Sequence, residues 1–354
     1  MNDLKYVAFD VHKSNIVVAV LNLEGKLISE AIIETQASPI RDFLRGLSGS
    51  VHLTFEEGSH SQWLFDLARP LVSHILVCDP RQNHFLKSGN KSDKIDASKL
   101  ALLLRAGLLK EVYHGQAINQ TLKQLVHNYD SLTSDTTRLM NRVKALFRSR
   151  AIACLGRDVY YKRNRTQWLD KLTDRGLRLR AESLYQQLDL VRCLRRDAKK
   201  AMLREASKEK AFKLLSTIPG LGPVRVSQLL ASIGSPFRFQ TTRQLWSYCG
   251  LGVVTRSSAD YELTNGEVRR RQKAGQTRGL NRNYNHRLKM VFKSAAIEAM
   301  KEESIRKIYE SQVKKGIRPE MARLSIARKL VAVSLAIWKK EEEFDPKKMT
   351  KLVA

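Results

Sequence analysis

Four carboxylates at separated points of the chain have the right chemistry to hold divalent metal ions together. Asp10 and Glu56 each end an apolar run, while Asp93 and Asp96 stand three residues apart in a segment with helical spacing. Residues three apart share one face of a helix, so both aspartates can face the ends of the strands. Phosphoryl transfer uses such a cluster, because two Mg²⁺ ions roughly 4 Å apart activate the attacking oxygen and stabilise the leaving one. The pattern predicts a Mg²⁺ site that acts on phosphodiesters.

Other polar residues near these carboxylates are expected to have ordinary roles. Glu56 is preferred to Glu57 because it alternates with Thr54, on the side opposite the apolar residues of the run. Asp79 precedes a proline and is predicted to form a turn. We expect solvated or simply polar positions for His12, His60, Lys91 and Lys94.

The elements that would position the carboxylates alternate between strand and helix patterns. Strands are predicted at residues 5–10, 15–22, 27–33, 51–55 and 75–78, and helices at residues 40–47 and 62–71. Ser92 is expected to cap a further helix over residues 93–104, with Ile95, Leu100, Leu103 and Leu104 on its apolar face. The first third of the chain is therefore predicted to be a mixed α/β domain.

The middle of the chain is predicted to be a helical arm. Apolar residues recur at steps of three and four from Leu122 to Leu146, and a second helical stretch covers residues 168–215 after a break at residues 156–165. Two such stretches indicate an antiparallel coiled coil or a dimer contact.

Two features after the arm indicate contact with phosphates. The sequence IPGLGP at residues 218–223 has glycines at positions 220 and 222 and predicts a helix-hairpin-helix over residues 211–234, where backbone N–H groups can meet a phosphate. A basic block follows at residues 254–290. Between Val268 and Lys289 it has eight Lys or Arg and no Asp or Glu. The expected nucleic-acid contacts are Gly220, Gly222, Arg269, Arg270, Arg271, Lys273, Arg278, Arg282 and Arg287.

The composition agrees with a polyanionic partner. The chain has 354 residues, with 63 Lys and Arg against 35 Asp and Glu, which leaves a formal net charge of +28. No amphipathic basic helix or lipidation motif favours a membrane surface, and no export signal or membrane span is expected. The four cysteines form no CxxC pair, which is typical of a protein in a reducing cytoplasm.

The ordered motifs together resemble a known family. FDVHK with Asp10, TFEEG with Glu56, CDPR at residues 78–81, and KSDKIDA with Asp93 and Asp96 precede IPGLG and the basic block. This order resembles the DEDD-type insertion-sequence transposases, which include Piv/MooV-like invertases and bridge-RNA-guided recombinases. The resemblance covers residues 5–338 and implies a RuvC-like (RNase H-like) α/β catalytic domain at 1–112, a coiled-coil arm at 113–210 and a mostly α-helical transposase domain at 211–354.

The resemblance also implies a covalent step, for which this sequence departs from the family. A serine of the last domain is expected to attack DNA, but Gln272 stands where many relatives carry that serine, and an amide cannot attack a phosphate. Ser258 is preferred as the nucleophile, with Ser257 and Thr277 as alternatives. If none of these hydroxyls attacks, the serine step is absent. The implied partners are double-stranded DNA, a structured guide RNA and further copies of the chain in a dimer or tetramer, near the nucleoid in the cytoplasm.

Two other functions remain open from the sequence. The first is a RuvC-like, structure-selective nuclease in which water attacks, and the loss of the serine favours it. The second is a non-catalytic, basic nucleic-acid-binding protein derived from a transposase, which would bind in a salt-sensitive way without any strand cleavage.

Overall fold

The computed structural model describes residues 3–81, 92–114, 120–256, 261–264, 267–270 and 276–346. For residues 255, 256, 261–264, 269, 270 and 276–278 the description covers the backbone alone. The chain divides into two compact units, Met1–Gln116 and Ala117–Ala354.

The first unit is built on a five-stranded sheet. Its strands are β1 (Leu4–Val11), β2 (Asn15–Leu21), β3 (Leu27–Glu34), β4 (Ser50–Glu56) and β5 (His74–Cys78), in the order β3-β2-β1-β4-β5. Short connections make β1, β2 and β3 antiparallel neighbours, whereas β4 and β5 follow helices and run parallel to β1. The predicted strands are confirmed, with ends that differ by one or two residues.

Helices cover both faces of this sheet. Helices α1 (Ala37–Gly46) and α2 (Ser61–Ala68) lie on one face, where Val7 and Phe9 of β1 and Leu53 and Phe55 of β4 form the larger core. Helix α3 (Asp93–Arg105) lies on the other face, where Leu100 and Ala101 pack against Ala8 of β1. Because side chains alternate along a strand, Asp10 and Glu56 point toward the α3 face.

Helix α3 begins where the sequence predicts, but it buries different residues. The side chain of Ser92 accepts a hydrogen bond from the Ile95 N–H at 3.3 Å, so the predicted cap is confirmed. Ile95 itself is exposed, and the prediction that it belongs to the buried face was wrong. Ala97 and Ala101 are buried in its place, because small side chains allow the helix backbone to approach the sheet closely.

The second unit has two cores that share its long helices. Helices α4 (Gln120–Arg148) and α6 (Arg175–Ala206) pack around Leu139, Phe147 and Leu188 at one end, with the short helix α5 (Arg165–Leu169) against them. The opposite ends of α4 and α6 contribute Leu122, Val126, Met202 and Ala206 to a larger core. The second helical stretch predicted over residues 168–215 is helical but interrupted, since the chain breaks after α5 and again after α6.

The larger core gathers the remaining helices. These are α7 (Lys210–Ser216), α8 (Pro223–Ile233), α9 (Thr242–Tyr248), α10 (His286–Ala299), α11 (Glu303–Lys314) and α12 (Pro319–Lys340). The basic block contains four short strands that the sequence did not predict: β6 (Val253–Arg256), β7 (Tyr261–Thr264), β8 (Glu267–Arg270) and β9 (Gln276–Leu280). Strand β6 pairs with β9 and β7 with β8, both antiparallel. The three-domain division at residues 112 and 210 stays a prediction.

Within the described ranges, no helix is both long and apolar enough to cross a bilayer. The four cysteines are all unpaired; Cys193 is exposed and the other three are buried.

Candidate metal centre and nucleic-acid interface

The register of the sheet places Asp10 and Glu56 side by side. Phe9 of β1 pairs with Phe55 of β4 in the parallel ladder, so the residue that follows each of them lies at the same level. Both carboxylates are partly buried. Neighbouring parallel strands thus present two carboxylates at one edge of the sheet, on the face that α3 covers.

The first turn of α3 brings Asp93 and Asp96 to this edge. Ala97 is fully buried against Val17 and Ala19 of β2, and Val17 is the ladder partner of Asp10. At the other end of the helix, Arg105 Nε donates to the Leu23 carbonyl oxygen at 2.8 Å. Helix α3 is therefore fixed at both ends, with its acidic first turn above the end of β1.

His12 lies between two of the predicted carboxylates. Its Nε2 atom is 3.3 Å from Asp10 Oδ2 and 3.5 Å from Asp93 Oδ2, and ligand atoms of these three residues all lie within 4.8 Å of one another. Glu56 and Asp96 are not in this closest group. His12 was expected to be an ordinary polar residue, and the hairpin between β1 and β2 turns it back toward Asp10. Its place two residues after Asp10 is the sequence feature that could have indicated this.

The electrostatics of the cluster show that it is short of positive charge. Burial raises the pKa of Asp10, His12 opposes that rise, and the negative charges of Asp93 and Asp96 add to it. The Oδ1 atom of Asp96 is buried and has no hydrogen-bond partner. A divalent cation would relieve both features, since it neutralises close carboxylates and takes oxygen ligands. The residues present therefore fit a divalent metal.

Residues next to the cluster have structural partners. Glu57 contacts His114 Nε2 at 2.5 Å, and the ring of His114 packs on Phe65 with 5.2 Å between centroids. The Asp79 side chain accepts from the Arg81 N–H at 3.0 Å, as expected of a turn. Lys94 pairs with Glu30 of β3 at 3.6 Å. His114 is not marked by any sequence pattern, because its position beside Glu57 depends on residues 110–112 returning along β5.

The two glycines of the IPGLG turn have different surroundings. Gly220 has a positive φ of 79°, and a Cβ added to it would lie 2.2 Å from the Ala295 carbonyl oxygen of α10. Gly222 precedes α8, is exposed, and has nothing within 4 Å of an added Cβ. Gly220 thus permits helix packing, whereas Gly222 leaves the N-terminus of α8 open to a ligand.

Comparison with known families supports the order of these motifs. A family model for DEDD transposases of the IS110 type, described as a transposase, matches residues 7–150. A second model, described as the transposase IS116/IS110/IS902 family, matches residues 212–310. The chain belongs to this family of transposases. No match to a curated protein was found.

Inside the second unit, the transposase has an open groove of about 820 Å³ between α4, α10 and the start of α8. Gly222 and Arg225 line it on one side, and Arg287 lines it on another. Asp130 of α4 accepts from Gln228 at 2.7 Å and from Arg287 Nε at 2.6 Å. Arg287, a predicted nucleic-acid contact, therefore also joins α10 to α4.

The polar residues of the transposase's basic block divide into structural and exposed ones. Asn285 caps α10 by accepting from the Leu288 N–H at 3.1 Å, and Asn281 Nδ2 donates to the Asn283 carbonyl oxygen at 2.7 Å. Tyr284 packs over Gly250, where an added Cβ would lie 2.4 Å from its ring. Arg282 is exposed to solvent.

Several predicted residues of the transposase lie outside the described part. These are Ser257, Ser258, Arg271 and Lys273. Thr277 and Arg278 lie on β9, and Arg269 and Arg270 on β8, where the description covers the backbone alone. Their assignments as nucleophile and as phosphate contacts stay predictions.

Proposed function

We propose that this transposase cuts and rejoins DNA at the ends of its own mobile element, using divalent metal, expected to be Mg²⁺, at Asp10, Glu56, Asp93 and Asp96. The observation that carries the proposal is the approach of Asp93 from α3 to Asp10 from β1, with a buried Asp96 oxygen that has no hydrogen-bond partner in the same first turn of α3. The strand order β3-β2-β1-β4-β5, with β4 and β5 parallel to β1, supports a RuvC-like domain as its scaffold.

The carboxylates have a simple chemical task in this proposal. Divalent ions bound there would polarise the scissile phosphate and favour the deprotonated form of the attacking group. Asp10 and Glu56 would hold their ligand atoms in place because both belong to regular strands, and Asp93 and Asp96 because α3 is anchored at both ends. Rigid placement matters, since small displacements of reacting groups are costly in rate.

The DNA and RNA partners are proposed from charge and from the turn before α8. The net charge of +28 supports binding of a polyanion, and α7, the IPGLG turn and α8 support a helix-hairpin-helix. Gly222 and Arg282 are exposed and suited to meet phosphates. A structured guide RNA and a dimeric or tetrameric assembly are part of the proposal through the family resemblance.

The test is strand cleavage of DNA that carries the ends of the element, with the RNA that copurifies with the protein retained and sequenced. We expect cleavage with Mg²⁺ and none in EDTA, and loss of cleavage in Asp93→Ala with DNA affinity nearly unchanged. Asp42→Asn on α1 is the matched control, because Asp42 is an exposed carboxylate that accepts from Ser38. Unchanged cleavage by Asp93→Ala would refute the site. Salt-sensitive binding without cleavage under any condition would favour the non-catalytic binding protein.

A second candidate is a RuvC-like nuclease in which water attacks, and Gln272 in place of the expected serine favours it. The two enzymes differ in one product. Attack by a hydroxyl leaves DNA covalently attached to the protein, so denaturing gels of stalled reactions would show an adduct that Ser258→Ala removes. If Ser257→Ala or Thr277→Val removes it instead, the nucleophile is reassigned; if no adduct forms with any of them, the nuclease is favoured.

A further inference from the structure

His12 is the one member of the cluster that the four-carboxylate scheme does not use. Although 39% of its side chain is exposed, its Nε2 atom is buried and makes no hydrogen bond. Asp10 Oδ2 at 3.3 Å and Asp93 Oδ2 at 3.5 Å both lie within ion-pair distance of this nitrogen, without the geometry of a hydrogen bond. The nitrogen therefore faces two carboxylate oxygens at once, one from β1 and one from α3.

The spacing of these three atoms suits ligands that share one ion. Two adjacent ligands of an octahedral ion, each about 2.1 Å from the metal, are roughly 3.0 Å apart. The separations of 3.3 and 3.5 Å exceed this by a few tenths of an ångström, which a small side-chain rotation can close. Ordinary hydrogen-bonded pairs would be closer and would point at a single oxygen.

The backbone of His12 is held in place by the hairpin. Its N–H donates to the Asn15 carbonyl oxygen at 2.9 Å, and its own carbonyl oxygen accepts from Thr35 Oγ1 at 3.0 Å. The Thr35 N–H also donates to the Ser14 carbonyl oxygen at 3.0 Å. The loop that carries the imidazole is thus fixed from both sides, which is what a metal ligand on a loop requires.

We infer that His12 is a metal ligand, so that the ion held by Asp10 and Asp93 has one nitrogen donor and the site prefers Mn²⁺ to Mg²⁺. This inference rests on the proposed function, which supplies the metal. Mg²⁺ takes oxygen ligands almost exclusively, while Mn²⁺, although it is the weakest binder of its transition series, accepts an imidazole nitrogen more readily than Mg²⁺ does. Asp93 is exposed over 63% of its side chain, so an ion held there would be accessible to water or a phosphate.

The test is pulsed electron paramagnetic resonance of Mn²⁺ bound to the full chain, which detects a directly coordinated ¹⁴N nucleus. We expect a ¹⁴N coupling in the wild type that is lost in His12→Gln and retained in His60→Gln, a histidine of the same unit outside the cluster. The ratio of Mn²⁺ to Mg²⁺ affinity should fall about five- to tenfold in His12→Gln, since an amide oxygen then replaces the nitrogen. Thermal melting without metal would show that both variants are folded.

The outcomes separate this inference from the proposed function. If Mn²⁺ binds, is displaced by Asp93→Asn, and shows no ¹⁴N coupling, His12 is not a ligand while the carboxylate site stands. A ¹⁴N coupling that persists in His12→Gln likewise overturns the inference. If no Mn²⁺ binds in an Asp93-dependent way, both the metal site of the proposed function and the role of His12 are wrong.

Discussion

Two charged regions of the molecule are built by different means: the acidic edge of the first unit, which carries Asp10, Glu56, Asp93 and Asp96, and the basic surface of the second unit, which lies in the basic block at residues 254–290. At the acidic edge, each carboxylate lies within a regular element that fixes its position. The pairing of Phe9 with Phe55 sets Asp10 beside Glu56, and the first turn of α3 carries Asp93 and Asp96. On the basic surface, local hydrogen bonds hold Asn281 and Asn285, whereas Arg287 depends on an ion pair with Asp130 of α4. Local patterns therefore predict which elements carry the four carboxylates, but they do not predict the partner of Arg287.

The two regions also differ in whether their polar side chains have partners within the protein. Asp96 has a buried oxygen without a hydrogen-bond partner, which agrees with its proposed role as a metal ligand. Arg287, Asn281 and Asn285 have partners within the protein, so each has a structural task whatever else it binds.

The largest expected effect is on the acidic edge. Asp96→Asn changes one atom of a side chain whose Oδ1 is already buried and unpaired, so the fold should tolerate it. We expect strand cleavage to fall on the order of 100-fold or more, because a metal ligand is weakened. Cleavage rates at saturating Mg²⁺ measure this, with Asp42→Asn as the control. A rate within threefold of the wild type would remove Asp96 from the site.

The second effect concerns the IPGLG turn. Gly220→Ala should destabilise the protein by about 2–4 kcal/mol, because it combines a positive φ with overlap against the Ala295 carbonyl. Gly222→Ala should leave stability nearly unchanged, since open space surrounds that position. Chemical denaturation of the two variants measures this. Equal losses of stability would contradict the separate roles of the two glycines.

The third effect compares two arginines of the basic surface. Arg282→Ala should lower the slope of log affinity for DNA against log salt by about 1, because an exposed phosphate contact is lost. Arg287→Ala should instead lower the unfolding free energy by about 1–2 kcal/mol, since Asp130 loses a charged partner. Binding titrations at several salt concentrations and thermal melts separate the two. The contrast fails if Arg287→Ala changes only the salt dependence.

The smallest effect is a gain of stability without metal. Because burial and the negative charges of Asp93 and Asp96 raise the pKa of Asp10, its charged form is disfavoured in the folded state. Asp10→Asn should therefore raise the melting temperature in EDTA by roughly 1–3 °C at pH 7. The gain should shrink as the pH is lowered toward about 3.9, the ordinary pKa of an aspartate, because Asp10 then becomes protonated in the folded state. Glu24→Gln, at an exposed turn, should show no such gain. A lower melting temperature for Asp10→Asn would contradict the electrostatic description.

The sequence predicts the sheet and the carboxylates because alternation and helix capping are local properties. Ser92, for example, marks the start of α3 by its type and position alone. Ala97 and Ala101 were not predicted to be buried, since close approach of a helix to a sheet selects small residues that hydrophobicity does not mark. The strands of the basic block were not predicted either, because segments such as EVRR have few apolar residues to alternate. Gly220 depends on α10, a helix far away in the sequence.

The metal centre can be examined directly by soaking crystals of the transposase in Mn²⁺ and measuring anomalous diffraction. A peak bonded to carboxylate oxygens of Asp10 and Asp93, and absent from crystals of Asp93→Asn, is the predicted result. Density only at other surface carboxylates, or a peak at the cluster that Asp93→Asn leaves unchanged, would contradict the convergence of β1 and α3 on a metal ion.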